Sequence, residues 1–574
     1  MSEKSRFVVG KLIRPSPLMT TKVEKVKKVV HKKYDQSQVI LVPLDLRQVL
    51  APDHIVFIID RIVEGLSMEE LNSYYEGGGG STYHPKMLIK VWIYGYCRRV
   101  YTSRPLAQAL LENIAFMYLS GGQRPCFKTL SDFRGNRMQR MIDIIFKQVL
   151  LILVEEGYID LGDLYTDGSK WEANANRHKR VWKKNTQRYK AAVLDRIESL
   201  LAEVKVLQAQ EDERYGSGSL PELGQGKEVT VVLTSEQVAA QLVHLEELVK
   251  AESMRGQANQ TKVKALARIG TKIEAEQEKL VKYELQEQIL GQRNSYSQTD
   301  PDATMLRMKD ERLLPAYNVQ HTTTGQYIVN YTIEQNASDT PTLIPHLDKM
   351  EQRFEGLDLP AQMDLCADAA YGSEENYADL EERQLTPYVK YALWYLEQSG
   401  ELAKKKFRRE NWFFDPISDT YTCPDNRKLI FKEQKEVVTD NGYQKTMRVY
   451  QCESCEECPL AALCKKTEDQ ARTVQHSVRG EAYKEQAKQL LDTERGKEMR
   501  SNRSVEVETA FGDVKYNMKH DRFILRERPK VYVEYGLLAI GHNIRKMYCQ
   551  QSGIWAAYYA QRASKKQEKG KKGG

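Results

Sequence analysis

The sequence has no hydrophobic run long enough to cross a lipid bilayer. Its most apolar stretch, at 144–157, contains a lysine and is shorter than the roughly 20 residues that a membrane-spanning helix needs. The amino terminus lacks a sustained apolar segment before a small-residue cleavage site, so we expect no signal peptide. These absences argue against a membrane protein and predict a cytoplasmic one, whose nine cysteines are thiols or metal ligands.

A strong excess of one charge is also missing. The 86 Lys and Arg residues exceed the 79 Asp and Glu residues by only 7, a balance that suits many globular proteins. Lysines are nevertheless crowded at 21–34 and 564–574, where they could neutralise DNA phosphates or simply form solvated, flexible ends. With 574 residues and 41% hydrophobic content, the chain is long enough for several domains.

The region from about 45 to 155 predicts a compact helical domain. Apolar residues recur at helical spacing at 53–66, 85–100 and 103–121, and Ser103 is a candidate N-cap of the third helix. The glycine-rich stretch at 76–82 lacks the lysine and the hydroxyl residue of a P-loop, so it predicts a flexible link rather than a nucleotide site.

A short predicted strand at 158–168 is followed by a helical insertion. Apolar seams at 194–204 and 238–249 predict a helical hairpin, and a third helix is expected at 263–290. No seam persists through four heptads, which favours a spacer with its own core over a dimerisation coiled coil.

From 316 the hydrophobic pattern changes to that of strands. Two β-rich runs flank "TTTG" and predict a hairpin, a helix can begin near Pro341, and a further strand is expected at 361–372. Asp167 and Asp368 are then both expected at strand ends. A single aspartate in such a place is usually a turn former, whereas two of them with a carboxylate on a helix indicate a site.

The segment 502–528 supplies the helical carboxylate. Glu508 and Lys515 lie seven positions apart, which predicts that they share one face of an amphipathic helix, and Arg503 and Arg522 flank them. Glu506 is a rival to Glu508, but two residues away on a helix it points elsewhere and is not aligned with Lys515.

Five of the nine cysteines form a second group with ligand-like spacing: Cys423, Cys452, Cys455, Cys458 and Cys464. Paired C-x-x-C spacing is typical of a tetrahedral thiolate site, and structural Zn²⁺ bound by four of the five is the leading interpretation. An iron–sulfur cluster, or no metal, stays open as an alternative.

Together these motifs resemble the DDE transposases of bacterial insertion sequences, in the branch with a helical "YHP" amino-terminal domain and a cysteine-containing insertion. The resemblance runs in a fixed order through 83–110, 129–137, 167–184, 316–320, 367–373 and 507–515. One departure is "LRER" at 525–528, which stands where the family usually has arginine and glycine, so the contact made by its last arginine is left open.

The resemblance implies an α/β fold, with a ribonuclease-H-like catalytic core, an all-α N-terminal domain, a helical insertion and a small cysteine-rich insertion. It implies that Asp167, Asp368 and Glu508 form the acidic triad, accompanied by Arg503 and Lys515. The expected segments are a basic N-terminal segment (1–44), a helical DNA-binding domain (45–155), three parts of the catalytic core (156–184, 310–400 and 485–555), the helical insertion (185–309), the cysteine-rich insertion (401–484) and a basic tail (556–574).

The implied chemistry explains why the triad is all carboxylate. Mg²⁺ or Mn²⁺ prefers oxygen ligands, and two such ions about 3.5–4 Å apart can activate the attacking oxygen and stabilise the leaving one. Water would nick the transposon end, and the freed 3′ hydroxyl would attack target DNA at the same site. We expect Arg503, Lys515 and Arg522 to hold DNA phosphates, although Arg503 and Lys515 could instead pair with surface acids.

The expected partners are double-stranded DNA, as transposon ends and target, and further copies of the chain in a homodimer or larger oligomer. End recognition is expected in 45–155, where Arg104 and Arg134 either contact DNA or brace neighbouring helices. Two other functions stay open: a DNA-binding protein on the same scaffold that has lost catalysis, and a ribonuclease-H-like nuclease without strand transfer. The three carboxylates argue against the first, and the separate helical region argues against the second.

Overall fold

The computed structural model describes residues 45–75, 82–215, 233–254, 260–439, 441–465 and 470–553. The chain divides into two units, Met1–Val49 and Leu50–Gly574, and only a short 3-10 helix, Leu46–Val49, is described in the first. The predicted basic segment at 1–44, the basic tail at 556–574 and nearly all of the glycine-rich link lie outside the described residues.

The second unit begins with seven helices. They are α1 (Ile55–Glu64), α2 (Met68–Asn72), α3 (Pro85–Cys97), α4 (Ser103–Glu112), α5 (Ile114–Ser120), α6 (Phe127–Asp132) and α7 (Met138–Glu155). The helices predicted at 53–66 and 85–100 are confirmed, but the one predicted at 103–121 is two helices. It is divided at Asn113, whose side chain accepts the N–H groups of Ala115 and Phe116 and so begins α5, while Thr102 rather than Ser103 precedes α4.

The rest of the unit contains both strands and helices. First come β1 (Asp163–Glu172), β2 (Arg180–Trp182), α8 (Lys183–Tyr215), α9 (Ser235–Met254), α10 (Gln260–Leu290), β3 (Ser295–Ser297), β4 (Thr304–Arg307), β5 (Leu313–Thr324), β6 (Tyr327–Glu334) and α11 (Leu343–Phe354). Then follow β7 (Met363–Gly372), α12 (Glu374–Glu382), β8 (Leu385–Tyr391), α13 (Trp394–Gln398), β9 (Phe413–Asp415), β10 (Thr420–Thr422), β11 (Lys428–Val438), β12 (Gln444–Cys452), α14 (Ala461–Cys464), β13 (Thr473–His476), α15 (Val478–Asp492), α16 (Glu494–Gly512) and α17 (Arg528–Gln551).

The central sheet is mixed. β5 pairs antiparallel with β1 along one edge, and along its other edge with β4 near its start and with β6 over the rest. β7 runs parallel to β1, and β8 runs parallel to β7. The predicted hairpin is confirmed: β5 and β6 are joined by Gly325 and Gln326, both with positive φ, as in the two-residue turns that match strand twist.

The seven N-terminal helices share one apolar core with this sheet. Every residue of α3 is buried, and α17 packs against α3, α7 and β6. Two of the buried residues of α3 are lysines, and Lys90 is paired with Asp60 and Glu64 of α1. A helix that is buried on all sides needs neighbours on all sides, so α1–α7 pack as part of the larger unit rather than around a core of their own.

The two insertions have cores of their own. α10 packs against both α8 and α9, and apolar residues of all three helices form one cluster, as expected for a spacer with its own core. The residues around the five cysteines form an antiparallel sheet in the order β13-β12-β11-β10-β9. Within the described residues, no helix is both long and apolar enough to span a membrane.

Buried Glu534 of α17 fixes the segment that precedes this helix. Its carboxylate is fully buried, accepts the backbone N–H groups of Ile524 and Leu525 at 2.9 and 2.8 Å, and lies 2.8 Å from Nε2 of His520. His520 in turn accepts the indole N–H of Trp171 on its backbone oxygen at 2.7 Å. The segment is therefore tied to both α17 and β1.

Replacing Glu534 with alanine should destabilise the protein. Each buried N–H group left without an acceptor costs about 1–3 kcal/mol, so the loss of acceptors for Ile524, Leu525 and His520 should lower the free energy of unfolding by roughly 3 kcal/mol or more. Thermal unfolding of the full chain should show a Tm lower by several degrees. Glu527→Ala, which removes an exposed carboxylate from the same segment, is the control, and an equal fall in both variants would contradict the argument.

Candidate active site

Asp167 and Asp368 lie level with each other on neighbouring parallel strands. β1 and β7 pair in register up to Tyr165, which is opposite Cys366. The same offset places Asp167 beside Asp368, two residues beyond the last pair, and the alternation of side chains puts both on the face that carries Tyr165 and Cys366. That face is covered by α16, since Tyr165 and Cys366 both contact Met499 of that helix. The structure thus brings the two aspartates together.

Neither aspartate ends its strand, and that expectation was wrong. β1 continues to Glu172 and β7 to Gly372. β1 is extended because its other edge stays paired with β5, where Asp167 is opposite His321. What ends before the two aspartates is the parallel pairing between β1 and β7, so the carboxylates follow the point at which these strands part.

Arg503 reaches both carboxylates from α16. Its Nη1 lies 3.2 Å from Oδ2 of Asp167, and its Nη2 lies 3.7 Å from Oδ2 of Asp368. The arginine side chain is only 11% exposed, so solvent screens these pairs less than it would on an open surface. Arg503 therefore pairs with the two aspartates rather than with the acids at 494–498.

The two carboxyl groups differ in pKa although they share Arg503. Burial raises the pKa of Asp167 above its usual value, and Arg503 offsets this only in part. Burial also acts to raise the pKa of Asp368, but hydrogen bonds from the Ala369 N–H and the Tyr395 hydroxyl, with nearby cationic side chains, outweigh it and lower this pKa. Asp368 is thus the better stabilised anion of the two.

Two residues that the sequence did not single out position Asp368. The Tyr395 hydroxyl donates to Oδ1 of Asp368 at 2.8 Å, and Nζ of Lys390 donates to that hydroxyl at 2.7 Å while lying 3.6 Å from the same Oδ1. Lys390 is buried against the rings of Trp394 and Tyr395. The available signal was a lysine late in an apolar strand, in "YVKY", just before two adjacent aromatic residues.

Glu508 does not join the two aspartates in this structure. It is exposed, and it has no hydrogen bond or ion pair with any residue that the structure describes. At 100° per residue, Glu508 lies about 140° around α16 from Arg503, which faces the pair. Its rival Glu506 does point elsewhere, as expected: it is partly buried and accepts the backbone N–H of Gln326 in the β5–β6 turn.

Lys515 lies on a π-helical turn, Asp513–Asn517, that continues α16. The predicted shared face required an unbroken α-helix from Glu508 to Lys515. The π turn changes the angle between these two residues. Nζ of Lys515 donates to Oγ of Ser169 at 2.7 Å and to the backbone oxygen of Lys170 at 3.1 Å, over the ring of Trp171. Since Ser169 and Asp167 lie on one face of β1, Lys515 is placed next to the aspartates along the strand.

Burial and the nearby Lys309 ammonium lower the pKa of Lys515 from 10.5 to about 8. If Lys515 holds a DNA phosphate, the contact should weaken as the pH rises through about 8 and the charge is lost. We expect the slope of log affinity against log salt, measured by fluorescence anisotropy, to become smaller in magnitude between pH 7 and pH 9. The change should correspond to the loss of about one phosphate contact. The Lys515→Met variant should lack this contact at both pH values, and an equal pH effect in wild type and variant would contradict the role.

The low pKa also has a consequence for stability. Between about pH 8 and 10.5 the unfolded chain binds more protons at Lys515 than the folded chain, so this residue makes the folded state more stable as the pH rises through that window. Below pH 8 the residue is protonated in both states and its contribution no longer changes with pH.

The other predicted DNA contacts differ in exposure. Arg522 is exposed beside Glu172, with 3.5 Å between Nε and Oε1, and Arg104 is exposed over the ring of Phe127. Arg134 is buried: its Nη1 donates to the Tyr96 hydroxyl and to the Tyr101 backbone oxygen. These contacts favour the alternative that Arg134 braces neighbouring helices.

The two arginines of "LRER" are both placed by hydrogen bonds. Nε of Arg526 donates to the backbone oxygen of Asn174 at 2.7 Å. Nε of Arg528, the last arginine, donates to the backbone oxygen of Ile333 at 2.7 Å, and its Nη2 lies 3.2 Å from Glu334. Arg528 is therefore engaged with β6.

Among the described residues, no group of three or more His, Cys, Asp or Glu side chains is arranged to hold a metal ion. At the aspartates, two carboxylates are level with each other and an arginine is bound between them, so the donor set for Mg²⁺ or Mn²⁺ is incomplete without a third carboxylate.

Four of the five cysteines, Cys423, Cys452, Cys455 and Cys464, lie in one apolar cluster, but among the described residues they form no group that could hold a metal ion. Burial and the neighbouring Cys455 raise the pKa of Cys452 to about 12, so these two thiols are close together. Cys452 nevertheless donates to the backbone oxygen of Ser454, and Cys455 accepts the Arg472 N–H. The described residues give no support for the predicted structural zinc.

Two regions of the chain match families of known proteins. Residues 422–548 match the family described as "Transposase DDE domain", and residues 44–136 match "Transposase domain (DUF772)". No curated protein and no solved structure matches the chain. The two family matches support a DDE transposase of the insertion-sequence type and confirm the resemblance seen in the motifs. The first match includes Glu508 and Lys515, whereas Asp167 and Asp368 lie outside both matched regions.

Proposed function

We propose that this chain, a DDE transposase of the insertion-sequence type, binds the ends of its element as double-stranded DNA, cuts a strand there and joins the freed end to target DNA. The observation that carries the proposal is the placement of Asp167 and Asp368 in one register on β1 and β7, with Arg503 bound to both. Neighbouring carboxylates are suited to bind divalent cations, which can stabilise the attacking and leaving oxygens when a phosphodiester is cleaved.

The strand order supports a ribonuclease-H-like core. Counted along the chain, β1, β5 and β6 form the antiparallel part of the sheet, and β7 and β8 extend it in parallel from the other edge of β1. The aspartates occupy the central strand β1 and its parallel neighbour β7, and the helix that carries Glu508 crosses the same face. Fold alone does not assign a function, so the proposal depends on the aspartates themselves.

We propose Asp167, Asp368 and Glu508 as the ligands of one or two Mg²⁺ or Mn²⁺ ions, which would supply Lewis-acid stabilisation of the attacking and leaving oxygens. Tyr395 and Lys390 hold the Asp368 carboxylate in one orientation. Lys515, next to Asp167 along β1, offers a cation to a phosphate beside the reacting one.

The exposed arginines of the helical region are the proposed contacts to the ends of the element. Arg104 of α4 is exposed, as are Arg98, Arg99 and Arg140, whereas Arg134 is used inside the helical region. Exposed guanidinium groups on helices can reach base edges or phosphates. Arg134 is therefore not among the proposed contacts.

The test is cleavage of DNA that carries the ends of the element and their natural flanks by the purified full chain with Mg²⁺ or Mn²⁺. We expect strand breaks at the element boundaries that leave 3′ hydroxyl groups, and joined products when target plasmid is added. A folded, DNA-binding chain that cuts with neither metal would overturn the proposal.

A second candidate is a DNA-binding protein on this scaffold that has lost catalysis. The observation that favours it is the exposed position of Glu508, away from the aspartates. In that case the full chain would bind the element ends with the same affinity in the presence and absence of Mn²⁺ and would leave them intact.

A further inference from the structure

A basic cleft lies at the far end of β1 from Asp167. It is an open hollow of about 530 Å³ between the loop after β1 and the segment before α17. The residues that the argument uses are Arg177, Lys179, Arg522, Arg526 and Glu172. None of them except Arg522 was assigned a role from the sequence.

The cleft has more positive than negative charge. Its four cationic side chains face one carboxylate, that of Glu172, which lies 3.5 Å from Arg522. Arg177 and Lys179 are exposed, and neither forms an ion pair with any residue in the described ranges. A concave surface with unbalanced positive charge attracts polyanions and concentrates them.

The cleft is held in shape by hydrogen bonds between its two walls. The Phe523 N–H donates to the backbone oxygen of Glu172 at 2.9 Å, and Nδ2 of Asn174 donates to the backbone oxygen of Ile524 at 2.5 Å. Nε of Arg526 closes the pattern by donating to Asn174. With the Glu534 contacts described above, one wall is fixed to β1 and to α17, so little order has to be gained on binding.

The cleft and the aspartates share one strand. Glu172 is five residues from Asp167, and a strand rises about 3.4 Å per residue, so the two backbone positions are about 17 Å apart along β1, with their side chains on opposite faces of the strand. Lys515 lies between them, on Ser169 and Lys170.

We propose that this cleft binds the phosphodiester backbone of DNA beyond the end of β1, away from the phosphate held at the aspartates. The inference rests on the proposed function for the identity of the polyanion as DNA. Arg177 and Lys179 contact phosphates, Arg522 and Arg526 shape the wall and add positive charge, and no base is read. The cleft therefore contributes affinity without sequence preference.

The test is the salt dependence of binding to a duplex of about 30 base pairs of arbitrary sequence, measured by fluorescence anisotropy with the full chain in EDTA. Each lost phosphate contact lowers the slope of log affinity against log salt by about 0.9, so Arg177→Ala with Lys179→Ala should lower it by about 1.8. The matched control is Arg268→Ala with Lys272→Ala, one arginine and one lysine exposed on α10, which should leave the slope unchanged.

An unchanged slope in the Arg177 and Lys179 variant, or an equal loss in the control, would overturn the proposal. A second result would also overturn it: inorganic phosphate displaces the duplex more strongly than chloride does at equal ionic strength, in wild type but not in the variant. The cleft would then be a site for free phosphate. Since EDTA prevents metal-dependent cleavage, this result is independent of whether the chain cuts DNA. A cleft that binds duplex in a chain that never cuts would refute the proposed catalysis and leave the cleft standing.

Discussion

Asp167→Asn and Asp368→Asn should each lower strand cleavage by more than about 100-fold while DNA binding stays within a few-fold of wild type. Each substitution removes a negative charge from the pair on β1 and β7 and barely changes the shape of the side chain. Cleavage of end-bearing DNA with Mg²⁺ and anisotropy with the same DNA are the two measurements. Arg503 remains charged in both variants and would then face a single carboxylate.

The matched control is Asp364→Asn. Asp364 lies on β7 four residues before Asp368, and like Asp368 it pairs with an arginine, since Nε of Arg495 lies 3.1 Å from its Oδ2. This variant removes the same charge from the same strand and should cleave at close to the wild-type rate. Near-normal cleavage by Asp167→Asn or Asp368→Asn would remove that residue from the catalytic site, and an equal loss in Asp364→Asn would point to damage of the strand.

The sequence predicted that Asp167 and Asp368 belong together, and the structure brings them side by side, but the predicted local geometry was wrong. The Asp-Gly pair at 167–168 looks like a turn, since both residue types favour turns. In the fold Gly168 lies inside β1, where a Cβ would lie against the side-chain ends of Gln320 and Asp339, which would have to shift. A glycine can therefore mark a close approach of neighbouring side chains as well as a turn, and a single sequence does not distinguish the two.

The helical region shows a similar limit. Periodicity correctly predicted α1 and α3, because apolar spacing is a local property of the chain. It did not reveal that α3 is buried on every side. Part of this burial is against α17, which lies more than 400 residues away in the sequence. Arg134 was ambiguous for the same reason, since its partners Tyr96 and Tyr101 become its neighbours only when the helices pack.

Glu508→Gln and Glu506→Gln should have opposite outcomes. Glu508 is the helical carboxylate that the family resemblance assigns to the triad, so its loss should lower cleavage by more than about 100-fold with end binding retained. Glu506 accepts the Gln326 N–H, a bond that the amide oxygen of glutamine can keep, so Glu506→Gln should cleave at nearly the wild-type rate. The two variants lie on one helix and make the same chemical change.

The two glutamates differ in exposure and in hydrogen bonding. Glu508 is exposed and has no hydrogen bond or ion pair among the described residues, whereas Glu506 already has a structural hydrogen bond. Loss of cleavage in Glu506→Gln alone would make Glu506 the third carboxylate. Full cleavage by both variants, with Asp167→Asn inactive, would mean that the two aspartates suffice for catalysis. Glu508 would then have no part in the reaction, in agreement with its exposed position.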